Sequence, residues 1–128
     1  MEVGKPQSVG VNSRLKWNET GIRLTAGERY HFHATGTWVD WTITCDADGY
    51  ESSNLILRVS EPLRRVPDKR WFALIGSTGK KDGEVFLIGT DSLYTPRTTG
   101  ELLCFANDVI LAYCNNHGAV TLTVTRVD

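Results

Sequence analysis

The stretch Ala119-Val-Thr-Leu-Thr-Val-Thr-Arg-Val127 alternates apolar and polar residues without a break, and its period decides the fold class. On an extended chain, side chains two apart share a face. Val120, Leu122, Val124 and finally Arg126 therefore fall on one side, with a row of threonines on the other. A strand with one apolar and one threonine-rich face fits two sheets packed face to face. A parallel sheet covered by helices on both sides would be apolar at both parities.

Working back along the chain, the signals stay those of strands. Arg29-Tyr-His-Phe-His-Ala34 alternates, with Tyr30, Phe32 and Ala34 on one face and His31 and His33 on the other. Thr37–Cys45 is rich in β-branched and aromatic residues and reads as one further strand. Gly21–Leu24, Trp71–Ile75, Glu84–Ile88 and Glu101–Ala106 are the remaining candidates. Thr25-Ala-Gly-Glu, Ser77-Thr-Gly-Lys-Lys-Asp-Gly and Thr95-Pro-Arg-Thr-Thr-Gly punctuate them with turn compositions. Only Ser52–Arg65 has a plausible helical stretch; it reads equally as a long loop, and Pro62 and Pro67 argue against a long helix. Short strands at this spacing predict an all-β chain, a β-sandwich or jelly roll.

With 128 residues the chain has the length of one domain, so 1–128 is expected to be a single unit. A hydrophobic content of 41% against 23% charged is that of a globular chain, and a net charge of −1 offers no general attraction to nucleic acid or anionic membrane. No window approaches the length of a membrane span, and Met1–Ser8 has no apolar secretory core. Cytoplasmic synthesis is the expectation, with export by a non-classical route compatible with it. Cys45, Cys104 and Cys114 show no zinc-ligand spacing, which leaves two readings, three reduced thiols or one disulfide with a free thiol.

The segment most informative about function is Glu101-Leu-Leu-Cys-Phe-Ala-Asn-Asp-Val-Ile-Leu-Ala-Tyr-Cys-Asn-Asn-His-Gly118. A strand runs out into Asn107-Asp108, and the chain returns through Asn115-Asn116 and Gly118 into the last strand. One carboxylate and a pair of amides on a folded-back loop are hard oxygen donors of the kind calcium takes, six to eight of them at about 2.3–2.6 Å. Asn and Asp are equally turn formers, so the residue types alone leave both readings open.

The pattern Asn107-Asp108-Val109-x-x-x-Tyr113-x-Asn115-Asn116-x-Gly118, followed by an alternating strand, resembles the calcium loop of the PA-IL-like galactose-binding bacterial lectins. Ala26-Gly27-Glu28, opening a strand that ends at Gly36 with a tryptophan nearby, is similar to the same family. The resemblance implies a fold of the galactose-binding-domain-like type, a calcium ion (Ca2+), and a galactoside-like carbohydrate as partner. It implies metal coordination by the Asp108 carboxylate, the Asn115 and Asn116 amides, and the backbone carbonyls of Ala112 and Asp40. Two vicinal sugar hydroxyls would complete the shell, hydrogen-bonded by Asp108 and Asn115. The sequence departs from the family at Cys114, where a glycine stands, and at Ile110-Leu111, which replaces a Pro-Gly pair. Counterparts of the family's His and Gln contacts to the sugar cannot be placed.

Cys45-Asp-Ala-Asp-Gly-Tyr-Glu51 holds a fragment of a calcium-loop pattern without its remaining positions, so it is no EF-hand. In a lectin sandwich it would follow the Asp40 strand, which makes Asp46, Asp48, Tyr50 and Glu51 candidates for sugar contacts and Trp41 a candidate for stacking. His31 and His33 read as solvent-face histidines. Arg58, Arg64, Arg65, Lys69 and Arg70 read as a surface loop. No nucleophile–base signature accompanies the cysteines or histidines, so no enzyme activity is expected. The reading is a non-enzymatic, calcium-dependent carbohydrate-binding homo-oligomer. The alternative is a protein-interaction or structural β-sandwich with the lectin fold and no sugar function.

Overall fold

The computed structural model describes residues 1–51 and 60–128. Its strands are β1 (Gln7–Asn12), β2 (Asn18–Leu24), β3 (Tyr30–Thr35), β4 (Trp38–Asp40), β5 (Ile43–Cys45), β6 (Leu74–Ser77), β7 (Val85–Leu87), β8 (Asp91–Tyr94), β9 (Gly100–Ala106) and β10 (Asn116–Arg126). They form two antiparallel sheets, β5-β4-β10-β3-β8 with β1 also on β10, and β2-β9-β6-β7. The expected β-sandwich is the fold. Among the described residues no helix is long and apolar enough to cross a membrane.

The alternation read from β10 holds. Val120, Leu122 and Val124 are buried, as are Tyr30, Phe32 and Ala34 on β3. They meet Ile22, Leu24, Leu74, Phe86, Leu102 and Cys104 of the second sheet in one core. Each such side chain contributes roughly 1.5–3 kcal/mol by leaving water. β10 organises its sheet: one edge carries β1 in the register Val11↔Val120, and the other carries both β3 and β4. Gly36, at φ 94°, is the joint between β3 and β4, and no other residue type enters that region freely.

The strand reading is corrected in two places. Thr37–Cys45 is a hairpin rather than one strand, with β4 and β5 paired Asp40↔Ile43 around Trp41-Thr42. Neither residue is a usual turn former, and Trp41 is driven to φ 55° to make the corner. β1 and β8 went unread because their sequences, Gln-Ser-Val-Gly-Val-Asn and Asp-Ser-Leu-Tyr, are too polar to signal strands. The helical expectation over Ser52–Arg65 lies mostly outside the described residues, and its described part holds a short 3₁₀ turn, Glu61–Leu63. The cysteines are three free thiols.

β9 is buried on both faces: Leu102, Cys104 and Ala106 face the core, and Leu103 and Phe105 are covered from outside. Phe105 joins Ala73 and Ile75 in a second apolar cluster under Trp17 and Val66. That outer layer, residues 60–71, carries one wall of the functional site.

Gly49, at φ 75°, lets the chain before Tyr50 pass against β6: a Cβ there would lie 2.2 Å from the Trp71 carbonyl oxygen. Tyr50 N–H then donates to that same carbonyl at 2.8 Å. Gly49→Ala should cost roughly 3 kcal/mol, since overpacking and left-handed strain add. Gly10→Ala, which meets nothing within 4 Å, should stay near ±0.5 kcal/mol. Urea denaturation of the two variants checks both values.

Candidate functional site

Three segments meet at the end of the sandwich around a cleft of about 290 Å³. The β4–β5 corner supplies Asp40, Trp41 and Ile43; the outer layer supplies Leu63 and Trp71, with Tyr50 beside them; the loop after β9 supplies Asp108, Val109, Ala112 and Asn115. Among the described residues only two non-glycine residues have positive φ, Trp41 at 55° and Phe72 at 61°. Trp41 lines the cleft and Phe72 follows a residue that does. Bulky side chains rarely adopt this conformation, and such strain concentrates at ligand sites.

The loop is held by Asn107, which is fully buried. Its Oδ1 accepts the Val66 N–H at 2.9 Å, and its Nδ2 donates to the carbonyls of Val66, Lys69 and Arg70 at 2.9, 3.2 and 3.0 Å. Its main chain donates to Ala73 and accepts from Phe72. Arg65 forms a second strut. Its N–H donates to the Asp108 carbonyl at 3.1 Å, and its guanidinium lies 3.5 Å over the Phe105 ring and bonds the Tyr113 hydroxyl at 3.0 Å. The sequence reading placed Arg65 in a surface loop, and nothing in its local pattern announces this role.

Asp108 is 3% exposed. Its Oδ1 accepts the Val109 N–H at 2.7 Å, and its Oδ2 is buried with no hydrogen-bond partner. Asn116 repeats the arrangement: Nδ2 donates to the Ser13 carbonyl at 2.9 Å, while Oδ1 is buried and unpartnered. Two orphaned oxygens a loop apart, at two of the five positions expected to bind metal, are uncommon in a folded protein, where buried polar atoms are paired. Burial pushes the Asp108 carboxyl up to about 6, the neighbouring Asp40 carboxylate adds to the rise, and the Val109 N–H and the nearby Asn116 amide, which is not in hydrogen-bonding geometry with Oδ2, pull it back. The Asp40 carboxyl is raised too, by burial, with the Tyr50 hydroxyl donating to its Oδ2 and pulling it back.

Trp41 N–H donates to the Asn115 carbonyl at 3.2 Å, so Asp40 and Asn116 face each other as a non-hydrogen-bonded pair. In such a pair the side chains sit closest and the Asp40 main-chain groups turn towards β5. Asp40 thus brings its carboxylate to the cleft, and the carbonyl expected of it as a ligand turns away towards β5. Asn115 and Ala112 line the cleft, one in and one beside the 3₁₀ turn Tyr113–Asn115. The structure brings Asp40, Trp41, Tyr50, Asp108, Ala112 and Asn115 together, with Asn116 buried next to Asp40.

The other expected contacts lie elsewhere. Asp48 accepts the Thr90 N–H and Oγ1 at 2.7 and 2.9 Å, and Asp46 accepts the Asp48 N–H at 2.9 Å. Both carboxylates are engaged in closing turns, and neither lines the cleft. Glu51 is exposed and outside the lining as well. Of the tryptophans, Trp38 and Trp71 are buried, whereas Trp41 is 70% exposed. The Cys45 thiol is pushed up to about 12 by burial, which holds it protonated. Leu63 lines the cleft and, with Ile110 and Leu111 of the loop after β9, is an exposed apolar residue; the sequence reading set Ile110 and Leu111 in the site wall and did not single out Leu63.

Among the described residues no three His, Cys, Asp or Glu side chains are closed on a common point. The donors at the cleft are instead carboxylates, amides and main-chain carbonyls, hard oxygens suited to calcium rather than zinc. The residues present fit such an ion.

No protein-family model matches the chain, and no curated protein matches it. A solved structure described as the EclA N-terminal domain, a PllA-like lectin, is similar to it, with a TM-score of 0.70 and 19% identity over 93% of this chain and 94% of that one. At that identity the likeness is one of fold, and the fold is that of a lectin β-sandwich.

Two outcomes test the electrostatics and the staple. With the Asp108 carboxyl raised from 3.8 to about 6, the folded chain binds a proton more tightly than the unfolded chain, so this group lowers stability as pH rises through that window. In chelator, Asp108→Asn should therefore be more stable than the native protein at pH 8 by on the order of 1–3 kcal/mol, the gap closing towards pH 4. Melting curves at the two pH values check it. Asn107→Ala should cost about 3 kcal/mol in urea denaturation, because it leaves buried main-chain groups unpaired.

Proposed function

We propose that the cleft is a calcium-dependent carbohydrate-binding site and that the protein acts as a non-enzymatic lectin. The observation that carries this reading is the pair of buried, unpartnered oxygens, Asp108 Oδ2 and Asn116 Oδ1. A buried carboxylate without a partner is costly, and a cation supplied at the site relieves it. Asp108, Asn115 and Asn116 would hold the ion by their side chains, joined by the carbonyls of Ala112 and of the Asp40–Trp41 corner. Bound calcium supplies open coordination positions for vicinal hydroxyls. The chain's own residues do the rest. Trp41 offers an exposed indole face at the edge of the cleft, and Asp40 with Tyr50 offers fixed acceptor oxygens, the Tyr50 proton being donated to Asp40.

The lectin fold of the similar structure supports this reading, and the family pattern in the loop points to a galactoside among sugars. A single monosaccharide buries little area, so useful avidity would come from several sites on a homo-oligomer. The exposed apolar rim of Leu63, Ile110 and Leu111 favours a second reading, a protein-docking face on the same fold.

Calcium titrated into chelator-treated protein should release or absorb heat with a stoichiometry of one per chain. It should also raise the melting temperature, by the equivalent of about 2.7 kcal/mol at a hundredfold excess over Kd. Asp108→Ala should abolish both signals, and their absence from the native protein would sink the calcium site. A glycan array with calcium and with chelator separates the two readings: calcium-dependent hits support the lectin, and silence in both arms from folded protein supports the docking face.

A further inference from the structure

The wall of the cleft made by the β4–β5 corner and Tyr50 carries polar groups outside the donor set that would hold the ion. Asp40 lines the cleft while its main-chain groups turn towards β5. The Tyr50 hydroxyl, ten residues on, donates to Asp40 Oδ2. Asp40 Oδ1 accepts no hydrogen bond among the described residues and, unlike Asp108 Oδ2, it is not buried. We infer that Asp40 is the specificity-determining acceptor of the site: its carboxylate, positioned by Tyr50, takes a hydrogen bond from a third hydroxyl of the sugar, next to the vicinal pair on calcium. The inference rests on the cleft being a calcium-dependent sugar site.

Both partners are anchored by main chain before any ligand arrives. Gly49, at φ 75°, admits the chain against Trp71, and Tyr50 N–H donates to the Trp71 carbonyl at 2.8 Å. On the other side, Trp41 N–H donates to the Asn115 carbonyl at 3.2 Å and fixes the corner that carries Asp40. A carboxylate held in this way loses little freedom on binding. Ile43, Leu63, Trp71 and Val109 supply the apolar part of the wall. A hydrogen bond to an ionised group is stronger in such surroundings than in water.

The chemistry of the pair restricts the ligand. An ionised carboxylate only accepts, and the one proton of the Tyr50 hydroxyl is already engaged on Oδ2. No lysine, arginine or histidine lines the cleft among the described residues. At this wall the ligand must therefore bring the proton. A free hydroxyl does so; an ether, ester or glycosidic oxygen does not. The class of ligand is a terminal, galactoside-like ring, unacylated and unextended at that hydroxyl. A site built to hydrogen-bond a hydroxyl rejects an analogue lacking it more strongly than an apolar pocket senses a change of size.

Calorimetry at saturating calcium tests this, with methyl β-galactoside and its monodeoxy analogues titrated into the native chain, Asp40→Ala and Tyr50→Phe. In the native protein, loss of one hydroxyl outside the chelated pair should weaken binding at least about tenfold. Asp40→Ala should weaken the parent galactoside by a similar factor and abolish the penalty for that one deoxy analogue, the signature of a direct pair. Tyr50→Phe should shrink the penalty at the same hydroxyl. A merely structural role weakens the parent and every analogue alike, and that result overturns the inference while leaving the lectin reading intact. Loss of the calcium heat in Asp40→Ala makes the carboxylate a metal ligand and also overturns it. A native protein that binds no galactoside overturns both. Melting curves establish folding, and Tyr50→Phe, which removes a single oxygen, decides the matter if Asp40→Ala does not fold.

Discussion

The buried side-chain amide of Asn107 has every donor and acceptor in use, and all of its side-chain partners are main-chain groups of a segment nearly forty residues earlier. An amide can tie an N–H and several carbonyls at once, which no carboxylate or hydroxyl in its place can do. It fixes residues 66–70 against the end of β9, and from that anchor the rest of the site follows. Arg65 reaches under the loop to Tyr113, Trp71 becomes a wall of the cleft, and Asp108, the very next residue, is turned inward with its Oδ2 unsatisfied. The clamp and the open site are adjacent positions in the chain with opposite hydrogen-bond accounts.

The contrast recurs across the molecule. Glu84 is as enclosed as a carboxylate can be by polar groups: it accepts from the Arg97 and Thr98 N–H groups and the Tyr94 hydroxyl, and its carboxyl is lowered despite burial. Asp108 and Asp40 lie together in a largely apolar cleft and are both raised. The turn carboxylates are satisfied, Asp40 is met by the Tyr50 hydroxyl, and Asp108 keeps one buried oxygen without a hydrogen bond.

Much of the sandwich was legible because strand periodicity is a local property. The alternation of Val120, Leu122 and Val124 and of Tyr30, Phe32 and Ala34 passes directly into buried and exposed faces. The Trp41 corner was not legible, since its left-handed conformation is imposed by pairing of β4 with β5 and β10 rather than by a turn-forming residue. Within the site, the loop residues Asp108, Asn115 and Asn116 stood out by type and spacing. Arg65 did not, and Asn107 stood in the pattern without its clamping role, because their partners are distant in sequence and a single chain carries no mark of such pairings. Asp46 and Asp48 looked like site residues for the opposite reason: a short acidic run before a glycine has the composition of a turn and of a ligand loop alike.

The exposed rim of Trp41, Leu63, Ile110 and Leu111 stands apart from the clamp beneath it. None of these side chains takes part in the hydrogen bonds that hold Asn107, Arg65 or Asp108 in place. Their identity is therefore free to drift without loosening the donors on the cleft floor. The architecture thus separates the side chains that hold the framework from four surface side chains that do not, so the chemistry of the cleft rim can be changed by substitution without touching the framework's hydrogen bonds.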